Sequence, residues 1–230
     1  MKLELQSTVI SIGIVTLAIA VLLVIINIML RKFDPLSKPT GLVLLIIMGF
    51  DFVHKSIMNV THNNRKISDQ LTPYFASVML YIFLSNIAGL FSLECPTANF
   101  SVTLSLAAVS CILIEVYSIA YNGFGRYVKS LFEPMAPFVV MNLISKVSTL
   151  ASLSLRLFGN IISGGILMSV IYQLFGLISA KMAFLNGFNL IAVVVAPFLH
   201  FYFDLFAGVL QTYIFSTLSI TFIGKELPSE

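Results

Sequence analysis

The sequence predicts an all-α polytopic membrane protein, folded as a single membrane domain across residues 1–230. We expect about five membrane-embedded helices, the last two long and tilted, and one interfacial helix. Of the residues, 58% are hydrophobic and only 10% are charged, with a mean hydropathy of +1.00, whereas a soluble domain carries about 25% charged residues. Several apolar runs reach the roughly 20 residues that a helix needs to cross a bilayer. These runs are continuous and not alternating, which argues against a β-barrel.

The N-terminal half of the chain predicts a span, an interfacial helix and a helical hairpin. The apolar run 7–30 predicts the first span. It has no obvious small-residue cleavage site, so we expect a retained helix and not a removed signal peptide. The run 40–60 carries ionisable side chains at its middle, so we predict that it lies along the membrane surface. The stretch 71–120 predicts two spans joined by a short loop, which together form the hairpin.

The C-terminal half predicts two long helices within 138–224, with a break near 177–182. Each is longer than a perpendicular span, so it must tilt or kink. The candidate irregular points are the pair Gly164 and Gly165 and, in the last helix, Pro197. No internal repeat is visible, so the inverted-repeat architecture of many transporters has no support.

The distribution of basic residues predicts the orientation of the chain in the membrane. If the N-terminus lies outside, the inside segments 31–70, 122–137 and 224–230 hold nine Lys and Arg residues, against two in the outside segments. This asymmetry predicts an outside N-terminus and a cytoplasmic C-terminus. The net charge of +3 is explained by topology and gives no reason to expect a nucleic-acid partner. The two cysteines suggest neither a disulfide framework nor a metal site, and we expect no cofactor.

Five ionisable side chains fall within the predicted spans: Glu115, Lys146, Arg156, His200 and Asp204. Such groups are costly in hydrocarbon and usually face a protein interior or a water-filled path. Arg156 is the sharpest case, because arginine cannot lose its charge. No acidic residue lies within ten positions of it on either side. Its counter-ion must therefore come from elsewhere in the chain or from a partner.

Arg156 shares a helical stripe with small polar residues. At 3.6 residues per turn, the stripe consists of Asn142, Ser145, Ser152, Arg156, Asn160 and Ser163. A helix–helix interface held by serines and asparagines would account for the uncharged members. The arginine argues instead for a functional face.

The last helix carries a second polar group, in which His200, Asp204 and Gln211 are predicted to share a face. Two interpretations stay open. Asp204 could pair with Arg156 as a static ion pair, or Asp204 and His200 could line an aqueous path and relay protons. Glu115 is expected to reach headgroups or water, and Lys146 to reach the interface along its aliphatic stem.

The stretch SLSLRLFGNI, residues 152–161, resembles the signature of subunit a of F-type ATP synthases. Three further stretches are similar to this family: LTPYFASVMLYIFLSNIAGLF from residue 71, PTANFSVTLSLA from residue 96 and QTYIFSTLSI from residue 211. The resemblance covers roughly residues 40–225.

The resemblance implies roles for several polar residues of the two long helices. Arg156 would be the stator arginine that faces the carboxylates of a rotating c-ring, and Asp204 the main channel carboxylate. The remaining polar positions around the arginine and its channels would be Ser152, Asn160 and Gln211. The chain departs from the family at a few positions. Gly165 stands where many members carry Glu or His, Asn99 where many carry Asp, and Ser145 and Lys146 where many are acidic.

The resemblance also implies the activity and the partners. The chain would be a non-catalytic subunit of the Fo sector that provides two half-channels and couples proton flow to c-ring rotation and ATP synthesis. Its partners would be the c-ring, the b-subunit peripheral stalk, other ATP synthase subunits and the lipid bilayer. A bacterial plasma membrane is the expected location, with an organelle inner membrane as the alternative. The rival interpretations are a secondary transporter whose arginine binds an anion, and a membrane scaffold. The coupling ion, H⁺ or Na⁺, stays open.

Overall fold

The computed structural model describes residues 7–33, 39, 41–61, 64–91, 95–133, 135, 137–181 and 190–226. Every regular element in these ranges is helical, which confirms the predicted all-α class. Helix α1 covers Ser7–Lys32, α2 Gly41–Val60, α3 Arg65–Ile87, α4 Phe100–Asn122 and α5 Phe124–Leu131. Helix α6 covers Phe138–Lys181, α7 Leu190–His200 and α8 Ala207–Glu226. Short 3₁₀ turns at Ala88–Phe91 and Pro96–Ala98 lie between α3 and α4.

Local sequence explains where the central helices begin and end. Asn64 precedes α3, and its side chain accepts a hydrogen bond from the backbone N–H of Ile67. Asn99 caps α4 in the same way by accepting from the N–H of Ser101 at 2.9 Å. Both are N-caps that satisfy an otherwise unpaired donor. Gly123 ends α4 with φ of +79°, a backbone conformation that glycine adopts without steric cost.

The two long C-terminal elements differ in regularity. Helix α6 runs for 44 residues, and it continues through Gly164 and Gly165 without the predicted irregularity. In the last element the α-helical pattern changes at Phe201–Phe206, which forms a π-helical segment one turn after Pro197. The predicted irregular point near Pro197 is therefore present, but it lies a few residues further along.

The core is built around α3 and α8. At one end of the bundle, side chains of α2, α3, α4 and α8 pack together, and Ile57, Phe75 and Ile223 are almost completely buried there. Nearer the middle, Leu153 and Leu157 of α6 pack against α3, α4 and α8 and are 1% and 0% exposed. These leucines fix which face of α6 turns inward.

Within the described residues, five helical stretches are long and apolar enough to cross a membrane: Ile12–Lys32, Gly41–Val60, Phe100–Asn122, Phe138–Ser179 and Val193–Glu226. The number agrees with the prediction, but the membership differs, since α2 is included and α3 is not. The interfacial placement of residues 40–60 stays a prediction. Many large apolar side chains on α1, α2 and α6 are exposed, as is expected of surfaces that meet lipid or other subunits.

Candidate functional site

Arg156 lies on the open face of α6, on the side turned away from the buried leucines. Its side chain is exposed, and its Nη2 donates a hydrogen bond to the Ser152 Oγ at 3.3 Å. Because Leu153 and Leu157 are held in the core, the helix cannot rotate to bury the arginine. Half-buried Asn160 follows one turn later, and exposed Ser163 hydrogen-bonds to its backbone carbonyl. From Ser152 to Ser163, the predicted polar stripe is thus present as a surface, whereas Asn142 at its start donates hydrogen bonds to the carbonyls of Leu131 and Glu133.

Arg156 forms no ion pair with any residue in the described part of the chain. The static pair with Asp204 is therefore absent from this structure. The carboxylate of Asp204 contacts His200 instead, at 2.6 Å between Oδ2 and Nδ1. No acidic side chain in the described part of the chain therefore compensates the guanidinium group on this exposed face.

Hydrogen bonds among three side chains join α6 to the end of α7 and to the π-helical segment that follows it. The Tyr172 hydroxyl lies 2.9 Å from Nε2 of His200, and the opposite ring nitrogen faces Asp204. Both nitrogens of the imidazole are thereby occupied, which fixes the ring plane. The side chains of His200 and Asp204 are 39% and 26% exposed, so this hydrogen-bonded group reaches the surface. Such an arrangement can pass a proton between the phenol, the imidazole and the carboxylate.

The π-helical segment determines where Asp204 points. In this segment the N–H of Ala207 bonds to the carbonyl of Tyr202, five residues earlier. Wider turns of this kind interrupt the 3.6-residue spacing, so Gln211 does not continue the line of His200 and Asp204. Gln211 is only 6% exposed, and its Nε2 has no hydrogen-bond partner among the residues that the structure describes. The prediction that the three residues share one face is correct for the first two and wrong for Gln211.

Gly208 connects the last element to the core on α3. Its carbonyl accepts a hydrogen bond from Nδ2 of Asn86 at 3.2 Å. The amide oxygen of Asn86 in turn accepts from the Thr97 hydroxyl, also at 3.2 Å. This buried polar network holds the segment that carries Asp204 against α3. Gly164 is buried beside Phe203, so only Gly165 of the glycine pair lies on the exposed side of α6.

A second ionic site was not predicted. Lys146 and Glu115 form an ion pair, with Nζ 2.6 and 2.7 Å from the two carboxylate oxygens. The expectation that Glu115 reaches headgroups or water and Lys146 the interface stays a prediction. Both side chains are about 30% exposed, at 29% and 31%. Among the described residues, no group of three or more His, Cys, Asp and Glu side chains could hold a metal ion.

Together, the helical fold and these two polar sites define a polytopic membrane protein with an unpaired arginine on an open helix face. A family model described as "ATP synthase A chain" matches residues 11–224. The chain is 32% identical over 161 residues to ATP synthase subunit a of Desulforamulus reducens, which covers 70% of this chain and 58% of that protein.

Two further relatives align over longer stretches. The identity to ATP synthase subunit a of Priestia megaterium is 30% over 202 residues, covering 84% of this chain and 81% of that protein. For the subunit a of Mycoplasma genitalium the identity is 32% over 213 residues, covering 85% and 70%. The chain thus spans under two thirds of the first relative but more of the other two. It belongs to the ATP synthase A chain family, and it is a membrane component of an ATP synthase.

Proposed function

We propose that this chain is the stator subunit of the Fo sector, in which Arg156 couples proton flow through two half-channels to rotation of a c-ring. The observation that carries the proposal is the position of the arginine. It is exposed on the open face of α6, and it has no acidic partner among the described residues. A permanent cation in a membrane helix is costly, so a partner that supplies a carboxylate is required to account for it.

The coupling follows from electrostatics. A ring carboxylate that arrives beside Arg156 is favoured in its charged form, because the nearby cation stabilises the anion in a medium of low dielectric constant. It therefore releases its proton to one half-channel. A carboxylate that faces lipid must be neutral, so it can leave the arginine only after taking a proton from the other half-channel. The membrane potential, worth about 2.3 kcal/mol per charge per 100 mV, then gives the rotation its direction.

The chain of Tyr172, His200 and Asp204 supports one proton path. In one protonation state, Asp204 is charged and the imidazolium donates to it. In the other, the proton lies on the carboxyl group and the imidazole is neutral. The hydrogen bonds at 2.6 and 2.9 Å are within the range needed for direct transfer. The role of Asp204 as a channel carboxylate is thus extended to a relay with His200 and Tyr172.

The proposal includes the surroundings of the subunit. Its exposed apolar and polar helix faces would contact the c-ring, the b-subunit of the peripheral stalk and lipid. The excess of basic residues in the predicted inside segments supports an outside N-terminus and a cytoplasmic C-terminus in a bacterial plasma membrane. The subunit itself would carry out no bond-making chemistry, since ATP is made elsewhere in the complex.

The decisive experiment compares Arg156→Ala with Arg126→Ala in inverted vesicles that hold the whole complex. Arg126 is a matched control, because it is an exposed arginine on the short helix α5. We expect ATP-driven proton pumping to fall about a hundredfold or more in Arg156→Ala, as it does when a preorganised electrostatic group is removed, with ATP hydrolysis and assembly retained. Arg126→Ala should pump normally. Normal pumping by Arg156→Ala in assembled complexes would overturn the proposal.

A further inference from the structure

A second charged cluster lies on α6, away from the open face that carries Arg156, and the proposed function does not use it. Lys146 donates to both carboxylate oxygens of Glu115 on α4. The Tyr127 hydroxyl on α5 donates to the Glu115 Oε2 at 2.6 Å, and the Lys146 ammonium lies 4.9 Å from the centre of the Tyr127 ring. The carboxylate thus accepts three hydrogen bonds from two neighbouring elements. Burial, together with the bond to Glu115, raises the pKa of Tyr127, so the phenol remains a donor at neutral pH.

The cluster closes one end of the seam between α4, α6 and α8. Beside it lies a cavity of about 240 Å³ with a mixed polar and apolar lining, to which Glu115, Lys146 and Glu226 contribute. The carboxylate of Glu226, at the end of α8, accepts from the Ser118 hydroxyl at 2.7 Å. Near the start of α6, Asn142 donates to the carbonyls of Leu131 and Glu133. Directional bonds therefore hold each of these helices at this end.

Further along α6, no such directional bond to α4 is present among the contacts that the structure describes. Leu150, Leu153 and Leu157 meet Leu106, Ala107 and Cys111, together with residues of α3 and α8. Apolar side chains of similar size pack almost equally well after small shifts of a helix along or around its axis. A partly buried ionic pair does not, because its geometry is specific and its separation is costly. The register of α6 against α4 is therefore defined most sharply at Lys146.

We infer that the Glu115–Lys146–Tyr127 cluster is a clamp that sets the axial position and rotation of α6 and thereby aims Arg156 at its partner. The inference rests on the proposed function, because the clamp acts through Arg156 and takes no proton itself. Lys146 precedes Arg156 by ten residues, a distance of about 15 Å along a continuous helix. A shift of the helix at the clamp is consequently carried to the arginine. Glu115 and Lys146 are positioning residues in this scheme.

The test compares single neutral variants with a charge-reversed pair. Glu115→Gln and Lys146→Met each remove the ionic attraction, whereas Glu115→Lys combined with Lys146→Glu restores it in the opposite sense. The matched control is Asp51→Asn with Lys55→Met, which removes an exposed pair on α2 with atoms 3.3 Å apart. The measurements are the amount of complex that purifies with the c-ring, and the protons pumped per ATP hydrolysed.

In complexes that assemble, we expect the number of protons pumped per ATP to fall at least about fivefold in each single variant. The reversed pair should recover at least half of the loss, and the α2 control should match the wild type. Protons per ATP is a ratio within assembled complexes, so a change in the amount of folded protein does not alter it. If the single variants do not assemble, the charge-reversed pair provides the test, because the clamp requires this pair to restore both assembly and pumping.

Three results would overturn the clamp. The first is normal pumping by both single variants. The second is failure of the reversed pair to improve on the single variants, which would indicate that the Glu115 carboxylate carries protons at its own position. The third is an equal loss in the α2 control. Arg156→Ala, measured in parallel, separates this inference from the proposed function: lost pumping there with normal pumping in the clamp variants refutes only the clamp.

Discussion

Gly208→Ala is a severe test of how the last helix is held, because the added methyl group has no space. A Cβ atom at this position would lie 2.9 Å from the Cβ and 3.3 Å from the Nδ2 of Asn86. Carbon atoms in contact need about 3.5 Å. Helices α3 and α8 would therefore have to separate by roughly 0.6 Å at this level.

The energetic effect of that separation has two parts. The hydrogen bond from Asn86 to the Gly208 carbonyl is 3.2 Å long, and the added gap would stretch it to about 3.8 Å, beyond hydrogen-bonding distance. Loss of a buried bond with its donor unpaired costs about 1–3 kcal/mol. Overpacking adds about 1–3 kcal/mol. The sum of roughly 2–6 kcal/mol is a large share of the 5–15 kcal/mol that stabilises an ordinary domain.

The assay is the thermal unfolding midpoint of the purified complex, together with ATP-driven pumping. Gly49→Ala is the matched control, since Gly49 also lies within a helix but nothing is within 4 Å of an added Cβ. We expect a clear fall in the midpoint for Gly208→Ala and no fall for Gly49→Ala. Pumping should fall as well, because Asp204 lies one turn from the displaced residue.

A double variant tests the steric reasoning directly. Asn86→Gly removes the Cβ that the new methyl group would meet. The double variant should therefore lose less stability than the two single variants lose when their effects are summed. Additive losses, or an unchanged midpoint in Gly208→Ala alone, would show that the packing between Gly208 and Asn86 is not what holds α8 against α3.

Two further outcomes are expected. Tyr172→Phe removes the hydroxyl next to His200 and should slow pumping about fivefold, because one hydrogen bond contributes about 1 kcal/mol. The control Tyr213→Phe, on the exposed side of α8, should have no effect. Equal pumping rates in both variants would show that Tyr172 is not part of the relay. Burial raises the pKa of the Cys95 thiol, so less thiolate is present at a given pH. In a Cys111→Ser background, maleimide should label Cys95 more slowly than free cysteine at pH 8, and the labelling rate should still increase above pH 9. A labelling rate that stops increasing by pH 8 would contradict the raised pKa.

The features that could be predicted from sequence follow from local spacing and composition. The helical class depends on long apolar runs, and the open polar face of α6 depends on residues three and four apart in one continuous helix. Arg156 was identifiable because a charge without a nearby acid is unusual in such a run. The contact between His200 and Asp204 was likewise within reach, since these residues are four apart.

The contacts between helices were harder to predict. Lys146 lies eight residues into α6, and Glu115 lies seven residues before the end of α4, so antiparallel packing puts both at a similar depth. Tyr172 and His200 are related in the same way, because they lie nine residues before the end of α6 and ten after the start of α7. Counting outward from each turn could have found both pairs. The π-helical segment has no comparable signal, because apolar aromatic residues there fit either helix type.

The π-helical segment makes chain length between His200 and Gly208 as important as residue identity. A π turn accommodates one residue more than the α-helix it interrupts. If the same residues, Phe201–Phe206, formed a regular α-helix instead, everything after them would be rotated by about 100°. The buried residues Gln211, Thr212 and Phe215 would then turn away from α3. Deletion of one residue after Asp204 in this segment would remove the extra residue and keep the direction of α8, so it should be tolerated better than the insertion of one residue.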